Sequence, residues 1–228
     1  MIATHSAIGW LRELLPAEFG VAGGDIDELG PSGYPQEEAA IAQAAAKRRR
    51  EFRAGRIHAR RALALVGAAP SAIPQGPAGE PVWPAGYTGS ICHTEDLAVA
   101  VAAATTAIRA VGLDVASDAP LEASAHRFVC RPGEAEAVPA LAPTDVEPAK
   151  RLLVAKEAFM KLNYALTGTV VDFLDIHIGF QIAGRGTHAF RATSFPAAAG
   201  PSEGYEGRLG WHDGRIAAIM YVRRSDDI

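Results

Sequence analysis

The order of its predicted helices and strands constrains this chain more than any other feature of its sequence. Two long helical segments are predicted, at residues 35–67 and 148–166, and each is followed by short strand-like segments. Each helical segment begins at a proline and stops at or just before a glycine, as helices commonly do. This order predicts an α+β fold of two similar fused halves, each with a long helix packed on a small antiparallel sheet.

The strands are predicted from apolar runs that turn-forming residues separate. They cover residues 89–103, 109–115, 170–180, 188–195, 207–211 and 216–222, and the Asp213-Gly214 pair predicts a hairpin turn between the last two. Residues 1–34 are predicted to hold a short helical turn and a loop. We place the boundary between the halves near residues 104–112, which gives an N-terminal half of residues 1–108 and a C-terminal half of residues 109–228.

Composition excludes several classes of protein. The chain has 228 residues, of which 49% are hydrophobic, and its most apolar stretch, residues 97–108, is shorter than the roughly 18–20 residues of a membrane span. No signal peptide is visible, and two cysteines without CxxC spacing suggest neither a disulfide framework nor a structural zinc site. The net charge of −4 does not steer the protein as a whole toward nucleic acid. We therefore expect a cytoplasmic protein with neither a membrane nor a nucleic acid as partner.

Basic residues are concentrated in the first predicted helix, where residues 47–61 hold eight of the chain's 22 lysines and arginines. Helical spacing aligns Arg48, Phe52 and Arg56 one turn apart and places Arg48 in the apolar sector. An arginine on an inward face needs an anionic partner, because an unpaired buried charge is expensive, and phosphate suits it. The alternative is a solvated basic face with internal ion pairs, which applies most to the stripe of Arg49, Arg53, Arg56 and Arg60.

A turn of small residues into a strand, Gly89-Ser90-Ile91-Cys92-His93-Thr94, is the second candidate for function. Backbone N–H groups and an imidazole at the mouth of a strand can bind a phosphate. The alternative is a structural histidine whose hydrogen bonds are satisfied within the fold, and both interpretations stay open at this point.

Two carboxylates form the third candidate. Asp114 lies at the end of the apolar segment Gly112-Leu113-Asp114-Val115, and Glu157 lies on the second predicted helix. The apolar positions of that helix that we expect to be buried are Leu152, Ala155 and Phe159. An aspartate and a glutamate brought together from a strand and a helix suit Mg²⁺, which prefers carboxylates together with substrate phosphate oxygens. The alternative for Glu157 is a surface ion pair with Lys161. Taken with the arginines and the histidine, these carboxylates indicate chemistry at a phosphoanhydride.

Five segments, in this order, resemble the motifs of a known family. They are Lys47-Arg48-Arg49-Arg50-Glu51-Phe52 with Gly55-Arg56 and Ala59-Arg60, Gly79-Glu80-Pro81-Val82-Trp83-Pro84, Gly89-Ser90-Ile91-Cys92-His93, Gly112-Leu113-Asp114-Val115, and Ala155-Lys156-Glu157-Ala158 with Lys161. The family is the 4′-phosphopantetheinyl transferases. The chain is most similar to the longer, pseudo-dimeric type, which acts on carrier proteins of polyketide, non-ribosomal peptide, and mycolate or siderophore pathways. The resemblance runs from about residue 35 to residue 167.

The resemblance implies two fused α/β halves with the active site in the cleft between them, in a protein that acts as a monomer. It implies transfer of the 4′-phosphopantetheine arm of coenzyme A to a serine of an apo acyl or peptidyl carrier protein. It also implies that Mg²⁺, or alternatively Mn²⁺, is required and that adenosine 3′,5′-bisphosphate is released.

The resemblance further implies a set of site residues. By position, coenzyme A binding falls to Arg48, Arg56, Ser90 and His93, metal binding to Asp114 and Glu157, and catalysis to Lys156, Glu157 and Lys161. The arginines would hold phosphates of coenzyme A, including the 3′-phosphate, and the serine and histidine would contact the diphosphate. Glu157 would also be the base for the incoming serine hydroxyl, and the two lysines would stabilise charge on the diphosphate.

Two positions depart from the family pattern. Ala116 stands where relatives usually carry a second acid, and we expect a water to take that position on the metal; the alternatives are Asp118 reaching back or an impaired site. The 75–79 loop has no lysine, although many relatives carry one there for a phosphate. Two rival interpretations therefore stay open: a relative that binds coenzyme A or a carrier protein without turnover, and a phosphate or nucleic-acid binder that uses the arginine-rich helix.

Overall fold

A computed structural model of the chain describes residues 8–27, 30–138, 146–181, 187–194 and 205–224. These residues fall into two compact units. The first takes in the described residues up to Arg109 together with Arg223 and Arg224, and the second runs from Ala110 to Val222. Both combine helices with antiparallel strand pairs, so the predicted α+β class is confirmed.

The first unit contains a 3-10 helix at Gly9–Leu14, then β1 (Gly20–Asp25), α1 (Pro35–Ala40), α2 (Ala46–Leu65), β2 (Tyr87–His93) and β3 (Leu97–Ala104). Its strands form an antiparallel sheet in the order β1-β3-β2, and α2 packs on one face. Small residues allow a close approach, because a Cβ on Gly20 would lie 2.1 Å from the carbonyl oxygen of Ala62. Alternation along β3 turns Ala98, Ala100 and Ala102 toward the helix.

The second unit contains most of β4 (Ile108–Ser117), then α3 (Ala123–Val129), α4 (Pro148–Thr167), a 3-10 turn at Phe173–Asp175, β5 (Ile176–Gln181), β6 (Thr187–Ser194), β7 (Tyr205–His212) and all but the last residue of β8 (Arg215–Arg223). Its sheet has the order β4-β8-β7-β6-β5, and α4 packs on β5, β6 and β7. Leu152, Ala155 and Phe159 are buried in the core of this unit, as predicted. Asp213 and Gly214 both have positive φ and make the predicted turn between β7 and β8.

Two predicted elements are each divided in the structure. The 35–67 segment is two helices, because the chain leaves the helical path at Ile41, whose side chain is buried. The 89–103 segment is two strands with a turn at residues 94–96. The Thr94 hydroxyl accepts a hydrogen bond from the Leu97 N–H and donates one to the Asp96 carboxylate, which satisfies the turn with polar side chains.

Two further predictions are wrong: one strand was predicted as a loop, and another strand begins later than predicted. Strand β1 lies in the segment predicted as loop, since its glycines hid the strand pattern although its backbone pairs with β3 along its whole length. The strand predicted from residue 170 begins only at Ile176, because the Asp172 carboxylate accepts the Leu174 N–H and caps the 3-10 turn. Phe195, the predicted end of another strand, lies outside the described residues. Of the helices that the structure describes, none is both long and apolar enough to cross a bilayer.

Candidate active site

A close contact between β4 and α4 builds the strongest candidate site. A Cβ on Gly112 would lie 2.0 Å from the carbonyl oxygen of Ala158 and 2.7 Å from the Leu162 nitrogen, so only glycine allows this approach. Gly112 and Asp114 are two residues apart on a strand and share the face that meets α4. The contact therefore brings the Asp114 side chain to the turn of α4 that carries Glu157.

Three of the predicted residues meet at this contact. The Lys161 ammonium donates to the Asp114 carboxylate at 2.6 Å and to the Leu113 carbonyl at 3.0 Å. Burial and then the negative charge of Asp114 raise the pKa of Glu157 to about 7, and a hydrogen bond between the two side chains contributes. Lys161 lowers the same pKa but does not cancel these effects. Two carboxylates thus face each other with one ammonium beside them.

This pair of carboxylates fits a divalent cation. Hard carboxylate oxygens are ligands for Mg²⁺, which commonly takes one or two from the protein. The repulsion that raises the Glu157 pKa is the interaction that a bound cation would relieve. Within the described ranges, no group of three or more His, Cys, Asp and Glu side chains is placed to hold a metal.

The positions after Asp114 add no third carboxylate to this group. Ala116 packs against the apolar core of the second unit. Asp118 lies beside the turn between β7 and β8, where its N–H donates to the Gly214 carbonyl at 3.0 Å. The alternative in which Asp118 reaches back to the metal position is therefore not what the described structure shows.

Lys156 has a different environment from the one that the resemblance implied. Its side chain is fully buried, and its ammonium donates to the Val129 carbonyl (2.7 Å), the Glu134 carboxylate (2.7 Å) and the Phe173 carbonyl (3.0 Å). An ammonium has three hydrogens, so these acceptors use its full capacity. We correct the expectation that Lys156 meets a diphosphate: consecutive helical residues point about 100° apart, and Lys156 faces α3 while Glu157 faces β4.

In the first unit, Arg56 is the inward-facing arginine. It is 5% exposed, its guanidinium lies over the Phe52 ring, and its Nε donates to the Ile73 carbonyl at 2.7 Å. Burial lowers the pKa of Arg56 to about 10, and the charge of Glu37 opposes this shift. The protein itself thus supplies an anionic neighbour for Arg56.

Glu37 is a residue whose importance the sequence did not reveal. It is fully buried, and its Oε1 accepts from Arg60 at 2.6 Å and from the Ile73 N–H at 2.7 Å. From sequence its acidic side chain suited only the positive end of a helix dipole. Its partners lie 23 and 36 residues away along the chain, and no local pattern encodes such contacts.

Arg48 is exposed, which corrects the expectation that it lies on an inward face. It stands in the first turn of α2, beside His93 at the end of β2, where little of the sheet remains to cover it. Its Nη1 lies 3.5 Å from Nε2 of His93, and that nitrogen lies 3.9 Å from the Glu51 carboxylate. The structure therefore brings Arg48 and His93 together at an accessible edge of the first unit.

Ser90 and His93 do not share a face. Ser90 pairs with Val101 and His93 with Ala98, so alternation turns His93 toward α2 and Ser90 toward the opposite face of the sheet. Ser90 is 4% exposed. Its side chain and that of His93 therefore cannot both point at one ligand on the α2 face.

Internal ion pairs account for part of the arginine stripe. Arg53 donates to Glu38 at 2.6 Å, which lowers the pKa of that carboxyl to about 2, and Arg60 pairs with Glu37. For these residues the alternative of an ion-paired face is correct. Arg48 and Arg56, by contrast, have no hydrogen bond to a carboxylate among the described residues.

Comparisons with known proteins identify the family of this chain. The family of 4′-phosphopantetheinyl transferase N-terminal domains matches residues 36–103. The chain is 36% identical to the 4′-phosphopantetheinyl transferase PptT of Mycobacterium tuberculosis over 68% of either chain. It is 35% identical to Npt of Nocardia iowensis over 75% of this chain and 77% of that one, and 32% identical to Svp of Streptomyces mobaraensis over 83% and 78%; both are also 4′-phosphopantetheinyl transferases. On this similarity, the chain belongs to the 4′-phosphopantetheinyl transferase family.

Proposed function

We propose that this enzyme transfers the 4′-phosphopantetheine arm of coenzyme A to a serine hydroxyl of an apo acyl or peptidyl carrier protein. The observation that carries the proposal is the contact of β4 with α4, which sets Asp114, Glu157 and Lys161 together. In the reaction the serine oxygen attacks the β-phosphorus of coenzyme A, the bond from that phosphorus to the bridging oxygen breaks, and adenosine 3′,5′-bisphosphate leaves.

In the second unit, Asp114 and Glu157 would hold Mg²⁺, with a water where Ala116 offers no ligand. When bound, this ion supplies charge neutralisation at the diphosphate. Glu157 would take the proton of the serine hydroxyl, directly or through a water. Lys161 would add positive charge beside the departing bisphosphate.

In the first unit, Arg48 and His93 would contact phosphates of coenzyme A at the accessible end of β2. Arg56 would use its Nη groups, since its Nε already holds the Ile73 carbonyl. Ser90 would contribute through its backbone, because its side chain turns to the other face of β2. We propose that residues 1–108 and 109–228 serve one coenzyme A molecule in a cleft between the two halves, so that a monomer has a complete site.

The carrier protein would dock on the second unit. Phe128 of α3 is 59% exposed and Leu174 of the neighbouring 3-10 turn is 40% exposed, which is unusual for large apolar side chains in one place. Arg127 lies over the Phe128 ring, and Arg131 holds the Leu174 carbonyl. We call Arg127, Phe128, Arg131 and Leu174 the docking surface. An apolar surface with basic residues suits carrier proteins, which are typically acidic helical bundles.

Two observations bear on the rival functions. The ion pairs of Arg53 and Arg60 reduce the charge that the helix could offer to nucleic acid. Ala116 favours the second rival, a relative that binds coenzyme A without turnover.

Mass spectrometry distinguishes transfer from binding without turnover. After incubation with coenzyme A, Mg²⁺ and an apo carrier protein, transfer adds the mass of one phosphopantetheine to the carrier. An unmodified carrier protein, together with binding of coenzyme A measured by calorimetry, would support a protein that binds coenzyme A without turnover.

A further inference from the structure

The fully buried ammonium of Lys156 joins three separate segments to α4. It holds the last carbonyl of α3 at Val129, the Glu134 carboxylate in the following turn, and the first carbonyl of the 3-10 turn at Phe173. Two of these segments carry the exposed side chains of the docking surface, Phe128 and Leu174. One side chain of α4 therefore helps to fix α3 and the 3-10 turn relative to each other, together with the direct hydrogen bond from Arg131 to the Leu174 carbonyl.

Glu134 carries the negative charge that balances the buried ammonium of Lys156. It is 7% exposed, and its Oε2 accepts both from Lys156 at 2.7 Å and from the Arg131 N–H at 3.0 Å. Its Oε1 is buried and has no hydrogen-bond partner among the described residues. A buried ion pair contributes little net stability compared with apolar residues of similar volume, and an oxygen left without a partner makes this one less favourable still. Stability alone therefore does not explain the pair.

The neighbours of the paired groups along the chain suggest a role for the ion pair. Lys156 directly precedes Glu157, the residue proposed to accept the serine proton, and Phe128 directly precedes Val129, whose carbonyl Lys156 holds. A displacement of the ammonium would thus shift the docking surface relative to Glu157, and small misplacements of reacting groups can slow a reaction strongly.

We propose that Glu134 is a positioning residue of the transfer reaction: through Lys156 it fixes the docking surface at the distance from Glu157 that the carrier serine needs. This inference rests on the proposed function. Neither residue touches coenzyme A or the reacting atoms in this assignment. Substitution of these two residues should therefore lower kcat/KM for the carrier protein and leave the Kd for coenzyme A unchanged.

The test replaces the ion pair by apolar residues in the double variant Glu134→Leu/Lys156→Met, with Glu134→Gln as a milder change. Apolar replacement of both partners avoids an unpaired buried charge, although the Val129 and Phe173 carbonyls lose a donor, so circular dichroism is used to verify that the double variant is folded. We expect kcat/KM for the carrier to fall at least tenfold, while the Kd for coenzyme A changes less than twofold. The ion pair of the half-buried Arg191 with the exposed Glu206, in the same unit, supplies the control, as Arg191→Met/Glu206→Leu.

A second readout does not depend on turnover. Hydrogen–deuterium exchange at residues 123–138 and 173–175 should become faster in the double variant and in Glu134→Gln, and stay unchanged in the control. A double variant with wild-type kcat/KM for the carrier, or with unchanged exchange in these segments, would overturn the inference. If the wild type itself transfers nothing, the proposed function fails, and unchanged exchange would then overturn the positioning role independently. If the double variant does not fold, Glu134→Gln decides both readouts.

Discussion

The buried Glu37 of the first unit and the contact of β4 with α4 in the second unit treat buried charge in opposite ways. In the first, the buried Glu37 carboxylate accepts hydrogen bonds from Arg60 and from the Ile73 N–H, so opposite charges meet inside the protein. In the second, the carboxylates of Asp114 and Glu157 face each other, and their repulsion together with burial raises the Glu157 pKa to about 7. Charge that the fold neutralises by itself needs no ligand, whereas like charges held together indicate a place where a ligand completes the site.

In the proposed function the chemistry lies in the second unit, so substitutions there should abolish transfer. Asp114→Ala and Glu157→Ala should each reduce transfer below detection while the protein stays folded, because each removes one of two proposed metal ligands. Mass spectrometry of the carrier protein and circular dichroism of the variant measure the two effects. Glu206→Ala, at an exposed acid of the same unit, is the control. Near-normal transfer by either variant would remove the two-carboxylate site from the account.

The geometry of that site depends on a glycine. Gly112→Ala should destabilise the protein by about 1–3 kcal/mol, because the new Cβ would overlap backbone atoms of α4 that cannot move independently. Transfer by the folded fraction should fall as well, since β4 must move away from Glu157. Gly179→Ala is the matched control, as a Cβ there meets nothing within 4 Å. Equal urea midpoints for the two variants would contradict this role of Gly112.

In the first unit we expect weaker binding with smaller effects on turnover. Arg48→Ala should raise the Kd for coenzyme A roughly tenfold, the loss expected for one charge-assisted hydrogen bond, and should change kcat much less. Arg53→Ala, which removes an arginine already paired with Glu38, should leave the Kd nearly unchanged. Calorimetry with coenzyme A and dephospho-coenzyme A identifies the phosphate. An equal loss of affinity for both ligands would show that Arg48 does not hold the 3′-phosphate.

A pH titration probes the core of the first unit. Burial lowers the pKa of His58 from 6.5 to about 4, and the charge of Arg61 adds to the shift. Between these values the unfolded chain binds the proton and the folded chain does not. The free energy of unfolding should therefore fall as the pH drops from 6.5 toward 4, by up to about 3 kcal/mol from this residue. His58→Leu should remove that part of the slope in urea titrations, and an unchanged slope would contradict the neutral buried histidine.

The smallest expected change concerns Ala116. Residues 114 and 116 share a face of β4, so Ala116→Glu should place a third acid near the metal position and lower the Mg²⁺ concentration for half-maximal transfer a few-fold. Ser117→Glu, on the opposite face, is the control. If the two variants require the same Mg²⁺ concentration as the wild type, position 116 does not face the metal.

Local patterns were enough to predict parts of this structure, and long-range contacts explain the rest. The apolar spacing of α4 predicted which of its residues are buried. The residue types and the family resemblance indicated a cluster of Asp114, Glu157 and Lys161, and the structure brings these side chains together. Strand β1 could not be recognised, because glycines interrupt its pattern and one of them, Gly20, is required by the approach of a helix that lies far along the chain.

The roles of individual charges were the least predictable part. Lys156 and Glu157 are adjacent in one motif, yet the ammonium of Lys156 is buried among acceptors from segments that sequence spacing does not connect. Helical spacing placed Arg48 in the apolar sector, but the sector extends past the edge of the sheet at that turn, so the side chain is exposed. Burial depends on what the neighbouring elements cover, and a single helix does not encode it.

Calorimetric titration of Mg²⁺ into the enzyme saturated with coenzyme A tests whether the carboxylates of the second unit form a metal site. We expect the wild type to bind Mg²⁺ in a saturable manner, and we expect Asp114→Asn, which keeps the shape of the side chain, to lose this binding while it retains coenzyme A. Binding of Mg²⁺ by Asp114→Asn with the affinity of the wild type would contradict the account.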